Sequence, residues 1–264
     1  TCPEHLDCHP ITSNTLSITN TTDFVSFVDN KKPEIIINCE EYRNITEAEF
    51  WPQAAYDTNA IAIKNYFDSI KNNTAKFIQI STSMVFNGEK KEPYLDTDEC
   101  KPNSVYGDSK HLAETFISNM YNNYLIIRIP PIYFTPHLLS GIHQCYIKNK
   151  KLHFLQNGII SPISMPSLTK MIWEAILQNV SAIMHVGPID HCSIEEFIKY
   201  ILENLYNDNM EEFTLKSYES DSIDSAHHAM MCNALALSNT VKSQLTWKND
   251  LKEYISINRK NLYF

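Results

Sequence analysis

The sequence predicts an α/β protein: a parallel sheet flanked by helices, followed by a smaller α+β lobe. Three observations carry this. Short continuous apolar runs recur at Ile35-Ile36-Ile37, Phe77-Ile78-Gln79-Ile80 and Leu125-Ile126-Ile127. Such runs mark strands buried on both faces of a parallel sheet. Stretches with apolar residues at helical spacing separate them. Beyond residue 135 the strict alternation gives way to mixed short strands and helices.

The elements follow in chain order. Residues 1–20 read as irregular coil. Cys2, His5, Cys8 and His9 have a spacing that suits a metal, but no second Cys/His half-site accompanies them, so coil is the expectation. Thr21 or Thr22 caps a helix over residues 23–32, with Phe24, Phe27 and Val28 on one face. The first strand follows at Ile35. Residues 52–72 predict one long helix, with Ala55, Asn59, Ala62, Tyr66 and Ile70 on one stripe. A polar Asn59 among small and apolar residues is expected to satisfy a neighbouring loop.

The second strand, residues 77–80, breaks into Ser81-Thr82-Ser83. A helix over residues 106–119 and a strand over 125–129 come next, and Pro130-Pro131 stops the strand. In the second half, helices are expected over residues 138–149 and from a Ser167 cap to Gln178. Strands are expected at 151–155 and 183–187. Ser193-Ile194-Glu195-Glu196 is a capping box opening a further helix, and a last helix covers 250–257.

Composition bounds the function. The chain has 264 residues and a net charge of −9, which argues against nucleic acid or an anionic membrane as a partner. No apolar run is long enough to span a bilayer, and the first residues show no signal-peptide pattern. Seven cysteines, odd in number and scattered, suggest reduced thiols and a cytoplasmic location. Only five glycines occur: Gly88, Gly107, Gly141, Gly158 and Gly187. None are spaced to build the glycine-rich elbow that lets a backbone approach a dinucleotide's diphosphate.

The chemistry-bearing pattern is a strand ending in hydroxyls, followed by Tyr106-Gly107-Asp108-Ser109-Lys110 at a helix start. Residues four apart share a helix face. Tyr106 and Lys110 therefore point into one pocket, where an ammonium would lower the phenol's pKa from about 10. Tyr106 becomes a candidate proton donor or acceptor, and Thr82 a second hydrogen bond to a substrate oxygen.

These residues resemble the extended short-chain dehydrogenase/reductase superfamily. The matching stretches are Pro33 to Cys39, Asn59-Ala60, Ser81-Thr82 with Val85-Phe86-Asn87-Gly88, Pro93-Tyr94, Pro102-Asn103, Tyr106 to Lys110, and Glu114. The branch resembled contains the dTDP-4-dehydrorhamnose reductases and the regulatory β subunit of methionine adenosyltransferase. The resemblance implies a Rossmann-like parallel sheet lacking the usual first βα unit over residues 1–135. A smaller α+β lobe, residues 136–264, would share a cleft with it.

Two functions follow from the resemblance. Arg128-Ile129-Pro130-Pro131-Ile132-Tyr133, Asn233-Ala234 and the aromatic end Asn261-Leu262-Tyr263-Phe264 look like the regulatory subunit. The glycine loop is missing, Ser83-Met84 stands where the family has Asp-Tyr, and Met230-Met231 replaces an Arg-Pro pair. The expectation is a non-catalytic subunit with no or weak NADP binding. Its tail, residues 261–264, would dock a methionine adenosyltransferase catalytic subunit. The alternative is an NADPH-dependent reductase of a 4-keto nucleotide sugar, with Tyr106 protonating the new alkoxide, Lys110 holding the nicotinamide ribose, and Thr82 orienting the keto group.

Overall fold

The computed structural model describes residues 3–4, 6–70, 74–90, 92–133, 151–155, 159–177, 182–206, 214–218 and 244–258. Helix α1 spans Thr21–Lys31. Its cap is Asn20, one residue ahead of the expected threonines, and the Asn20 side chain accepts from the Asp23 amide. An asparagine at this position satisfies an orphan helix donor as well as threonine does. Strand β1 (Ile35–Asn38) follows, then a loop and the short helix α2 (Ile45–Phe50), which sequence periodicity missed.

The long helix expected over residues 52–72 is three joined pieces. They are α3 (Pro52–Tyr56), a π-turn (Asp57–Ile61) and α4 (Ala62–Ser69). Strand β2 (Lys76–Thr82) runs into a 3₁₀ turn (Ser83–Val85). Helix α5 (Val105–Met120) and strand β3 (Tyr124–Ile129) complete the first half.

Strands β4 (Lys151–Leu155) and β5 (Ile159–Ile160), helix α6 (Met165–Leu177), strands β6 (Ala182–His185) and β7 (Cys192–Ser193), helix α7 (Ile194–Tyr206), strand β8 (Thr214–Tyr218) and helix α8 (Trp247–Asn258) follow. The helix expected over residues 138–149 lies outside the described residues, as do Met230-Met231, Asn233-Ala234 and the tail at Asn261, Leu262, Tyr263 and Phe264.

The main sheet has the order β1-β2-β3-β6, with β1/β2 and β2/β3 parallel. The fold is Rossmann-like α/β. Strands β2 and β3 are buried almost throughout, as their apolar runs predict. Strand β1 departs from that expectation: Ile35, Ile36 and Ile37 are only half-buried. Among the described residues β1 pairs on one side alone, with β2, so it is an edge strand.

The chain divides into two compact units. The first comprises Thr1–Asn87, Glu99–Ile129 and Ala175–Met184. Its core joins Ile18, Val28, Ile63, Tyr66, Phe67, Phe77, Ile117 and Ile126. The rings of Tyr66, Phe67 and Phe77 sit 5.0 to 5.7 Å apart. Each such side chain contributes roughly 1.5–3 kcal/mol by leaving water.

The second unit comprises Gly88–Asp98, Pro130–Glu174 and His185–Phe264. Here β4 pairs with β8 in parallel, β5 pairs with β7 antiparallel, and helices α7 and α8 meet through Phe197, Tyr200 and Trp247. Ser164, ahead of the expected Ser167, caps α6 by accepting from the Ser167 amide. Ser167 instead turns its hydroxyl to Asp250. Ser193 caps α7 as expected, its hydroxyl accepting from the Glu196 amide, while the Glu196 carboxylate pairs with Lys248 at 2.8 Å instead of closing the box.

No helix among the described residues is long and apolar enough to cross a membrane. The expectation that every cysteine is a reduced thiol fails at Cys8, which is disulfide-bonded. That bond also removes its sulfur from the metal-like spacing at the N-terminus.

Candidate active site

In an open parallel sheet, ligands bind beyond the carboxyl ends of the strands. Strand β1 ends at Asn38, in register with Gln79, and β2 runs three residues further to Thr82. The buried Asn38 side chain donates to Gln79 (2.8 Å), and its oxygen accepts from the Glu40 amide (3.2 Å). Glu40 turns back to accept from the Ile18 amide at 3.0 Å. Beyond it, Asn59 grips Tyr42 by both backbone groups, accepting from its amide at 2.7 Å and donating to its carbonyl at 3.2 Å. Asn59 sits in the π-turn, a helix irregularity common at functional sites. Between these two fixed residues the loop presents Glu41.

Helix α5 starts directly against the end of β2. Its cap is Ser104, which accepts from the Gly107 amide at 3.1 Å. A Cβ on Gly107 would lie 2.1 Å from the Met84 carbonyl oxygen. Only glycine lets α5 press onto the 3₁₀ turn so closely, and that approach brings Tyr106 beside Thr82. Asn59 also donates to Ser109 at 2.9 Å, which fixes the helix from its other side.

Tyr106, Lys110 and Thr82 come together as the spacing predicts. Thr82 lies near enough to the Tyr106 phenol to favour its phenolate, and its oxygen accepts from the Met84 amide at 3.2 Å. Lys110 is 2% exposed and donates to the Ile80 carbonyl at 2.7 Å. The third partner is Glu41. One of its oxygens accepts from the Tyr106 hydroxyl at 2.9 Å and from the Lys110 ammonium at 3.4 Å.

Glu41 reverses the expected electrostatics. The Tyr106 phenol stands well above its ordinary pKa, because burial opposes the phenolate and the Glu41 charge and hydrogen bond add to it. Thr82 pulls the other way. The carboxylate stands between the phenol and the ammonium, so the anticipated lowering does not occur. Tyr106 is a protonated donor in this arrangement.

Behind the β2 end lies a buried ion pair. Arg128 donates through Nε to Glu114 Oε1 at 3.0 Å and through a terminal nitrogen to Oε2 at 2.7 Å. Ser81 donates to the same carboxylate at 2.6 Å. Burial opposes the Glu114 charge, yet the nearby His111 and hydrogen bonds from Arg128 and Ser81 hold its carboxyl below the usual range. The arrangement fixes Ser81, and so the neighbouring Thr82.

His111 Nδ1 lies 3.6 Å from Glu114 Oε2, beyond hydrogen-bond reach, and the neighbouring Cys100 and Glu114 raise the imidazole to about 10. Cys100, His111 and Glu114 hold their donor atoms within 4.8 Å of one another, as metal ligands do. The Arg128 guanidinium already binds Glu114 and the Cys100 sulfur, so a cation fills that place.

Sequence reasoning missed Glu41. A signal was present: Glu40-Glu41 follows a parallel strand directly, where ligands and catalytic groups gather. The tail residues 261–264 lie outside the described residues.

Comparison with known proteins bears on the chemistry. The model of a family described as RmlD substrate binding domain matches residues 2–259. The spore coat polysaccharide biosynthesis protein SpsK of Bacillus subtilis is 29% identical over 177 residues, covering 65% of this chain and 61% of that protein. A dTDP-4-dehydrorhamnose reductase of Aggregatibacter actinomycetemcomitans is 31% identical over 113 residues, or 43% of this chain and 38% of the relative. The chain thus spans about three fifths or less of the length of these curated relatives.

Among solved structures, a dTDP-4-dehydrorhamnose reductase of Bacillus anthracis in complex with NADP superposes with a TM-score of 0.83 at 25% identity, covering 97% of this chain and 92% of that one. A Clostridium acetobutylicum protein described as the same reductase gives 0.82 at 24% identity, with 97% and 92% covered, and shows the shared fold. These findings overturn the regulatory-subunit expectation and its leaning away from an enzyme. Several of the matching relatives are named as reductases of dTDP-linked sugars, and the methionine adenosyltransferase resemblance finds no support among them.

Proposed function

Since this chain belongs to the RmlD substrate binding domain family, we propose that it carries the catalytic groups of a reductase. Its substrate is the keto group of a nucleotide sugar of the dTDP-4-dehydrorhamnose kind, and its cofactor is NADPH. One observation supports this most directly. A buried phenol, a buried ammonium and a hydroxyl meet at the carboxyl ends of two parallel strands.

The chain's residues have distinct parts to play. In the ligand-free arrangement Tyr106 keeps its proton because burial and Glu41 oppose the phenolate. It can therefore give that proton to a substrate oxygen as negative charge develops there. Thr82 offers a second hydroxyl to the same oxygen and fixes its direction. Lys110, anchored on the Ile80 carbonyl, steadies the phenolate that Tyr106 leaves behind.

Lys110 and Tyr106 are also the donors that fit the hydroxyls of a nicotinamide ribose. The dinucleotide supplies the hydride when bound. The donors that these residues offer the cofactor are those at its ribose end.

The test is NADPH oxidation followed by absorbance in the presence of dTDP-4-dehydrorhamnose. Turnover is expected from the protein, with a loss of about 100-fold or more in Tyr106→Phe. Sugar-dependent oxidation that Tyr106→Phe leaves unchanged, or no oxidation at all, would overturn the proposal.

A further inference from the structure

Glu41 occupies the donors that a ligand would need. Its carboxylate takes the Tyr106 hydroxyl at 2.9 Å and the Lys110 ammonium at 3.4 Å through one oxygen. Both donors are buried, with Lys110 2% and Tyr106 7% exposed. Glu41 differs, because its side chain is 32% exposed. It reaches in from the rim of the site and can turn back to water at small cost. Its backbone cannot leave, since Asn38 holds Glu40 and Asn59 holds Tyr42 on either side.

We propose that Glu41 is a built-in occupant of the Tyr106–Lys110 pair, a carboxylate gate that a polyhydroxyl ligand must displace before it can use either donor. The part concerning the ligand rests on the reductase reading above. The part concerning Tyr106 and Lys110 does not.

The charge arithmetic makes the gate consequential. With Glu41 in place, the ammonium is shared between a carboxylate and the Ile80 carbonyl, and the phenol faces a negative charge. With Glu41 turned out, the phenol and the ammonium become each other's nearest charged or ionisable neighbours. The pair then passes from a protonated, self-satisfied state to one in which the phenolate is stabilised. The same displacement that admits a ligand thus tunes the proton donor.

The groups facing Tyr106 are known from every side. Among the described residues they are Glu41 from the β1 loop and Thr82 from β2, while Lys110 from the same helix shares the Glu41 carboxylate. The Cys39 thiol feels both Lys110 and Glu41. A ligand pays for the fraction of time the carboxylate is in place, so removing it raises apparent affinity.

Two measurements on Glu41→Ala test this. The first needs no ligand. Tyrosine ionisation is followed by NMR of ring-labelled protein, with the Tyr106 signal identified by its loss in Tyr106→Phe. Tyr106 is expected to ionise about 1 pH unit or more lower in Glu41→Ala than in the wild type. Glu41→Gln keeps an acceptor oxygen without the charge and should fall between. An unchanged Tyr106 midpoint in Glu41→Ala would overturn the gate.

The second is NADPH titration by calorimetry, where Glu41→Ala is expected to bind about tenfold tighter. Equal affinities, with the Tyr106 midpoint shifted, would overturn the gate's role toward ligand. If neither protein binds NADPH while Tyr106 shifts, the carboxylate's hold on the pair is supported and the reductase reading falls.

Discussion

Tyr106 and Tyr133 are both buried phenols that donate to a carboxylate, yet the two bonds do different work. Tyr133 gives its proton to Asp250 at 2.6 Å. Asp250 is itself 2% exposed and also accepts from the Ser164 amide (2.6 Å), the Ser164 hydroxyl (2.7 Å) and the Ser167 hydroxyl. That carboxylate is surrounded by neutral donors and has nowhere to turn. It ties α8 to the start of α6 and to the segment after β3. Glu41 takes its donors from one phenol and one ammonium, and a third of its side chain faces water. The local bond is the same in both places. A carboxylate sealed from solvent makes a permanent tie, and one at a rim makes a contact that can open.

Four substitutions sharpen or break that contrast. The largest effect is expected at Asp250. Asp250→Ala strands buried donors from Tyr133, Ser164 and Ser167 and should cost about 3–5 kcal/mol in denaturant unfolding. A loss under about 1 kcal/mol would show that the tie is dispensable.

Next comes Glu114, a buried carboxylate paired with a cation. Glu114→Gln should cost about 3 kcal/mol at neutral pH by leaving Arg128 uncompensated. Its pH signature is specific. The folded-state pKa of Glu114 lies below its ordinary 4.5, so its stabilisation is complete above that value. It is lost as pH falls through the folded value. Melting temperatures of the variant should therefore depend less on pH below about 4.5 than those of the wild type. Parallel acid profiles would place the acid sensitivity elsewhere.

The smallest effects separate the tyrosines directly. Tyr133→Phe should lose about 1 kcal/mol. Tyr106→Phe should lose less than about 0.5 kcal/mol, because the Glu41 carboxylate it abandons can hydrate. Equal losses in paired thermal melts would erase the distinction between sealed and rim carboxylates.

Much of the fold was legible because its signals are local. Continuous apolar runs marked β2 and β3, and Tyr106 and Lys110 fell on one face of α5 by their spacing alone. What escaped was non-local. Asn20 rather than a threonine caps α1, a choice among adjacent capping residues that backbone geometry makes. The run over residues 52–69 kept its helical stripe but hid a π-turn, since one extra residue in a turn barely disturbs the periodicity. Ile35 to Ile37 read as doubly buried because their composition is that of a central strand. Their half-burial depends on what lies beside them.

The misassigned function has the same origin. Missing glycines and replaced residues are visible in one dimension and pointed toward a non-catalytic subunit. The family model places the chain in the RmlD substrate binding domain family, and several relatives that it matches are named as reductases.

The sequence by itself determined which segments become strands and helices, and that a phenol, an ammonium and a hydroxyl would converge. Backbone preference and apolar periodicity are written residue by residue. Tertiary structure alone decided the state of those groups. Glu41 meets Tyr106 across 65 positions and Asp250 meets Tyr133 across 117. A side chain's proton affinity is set by the charges and the water around it in space, and chain order carries no record of either.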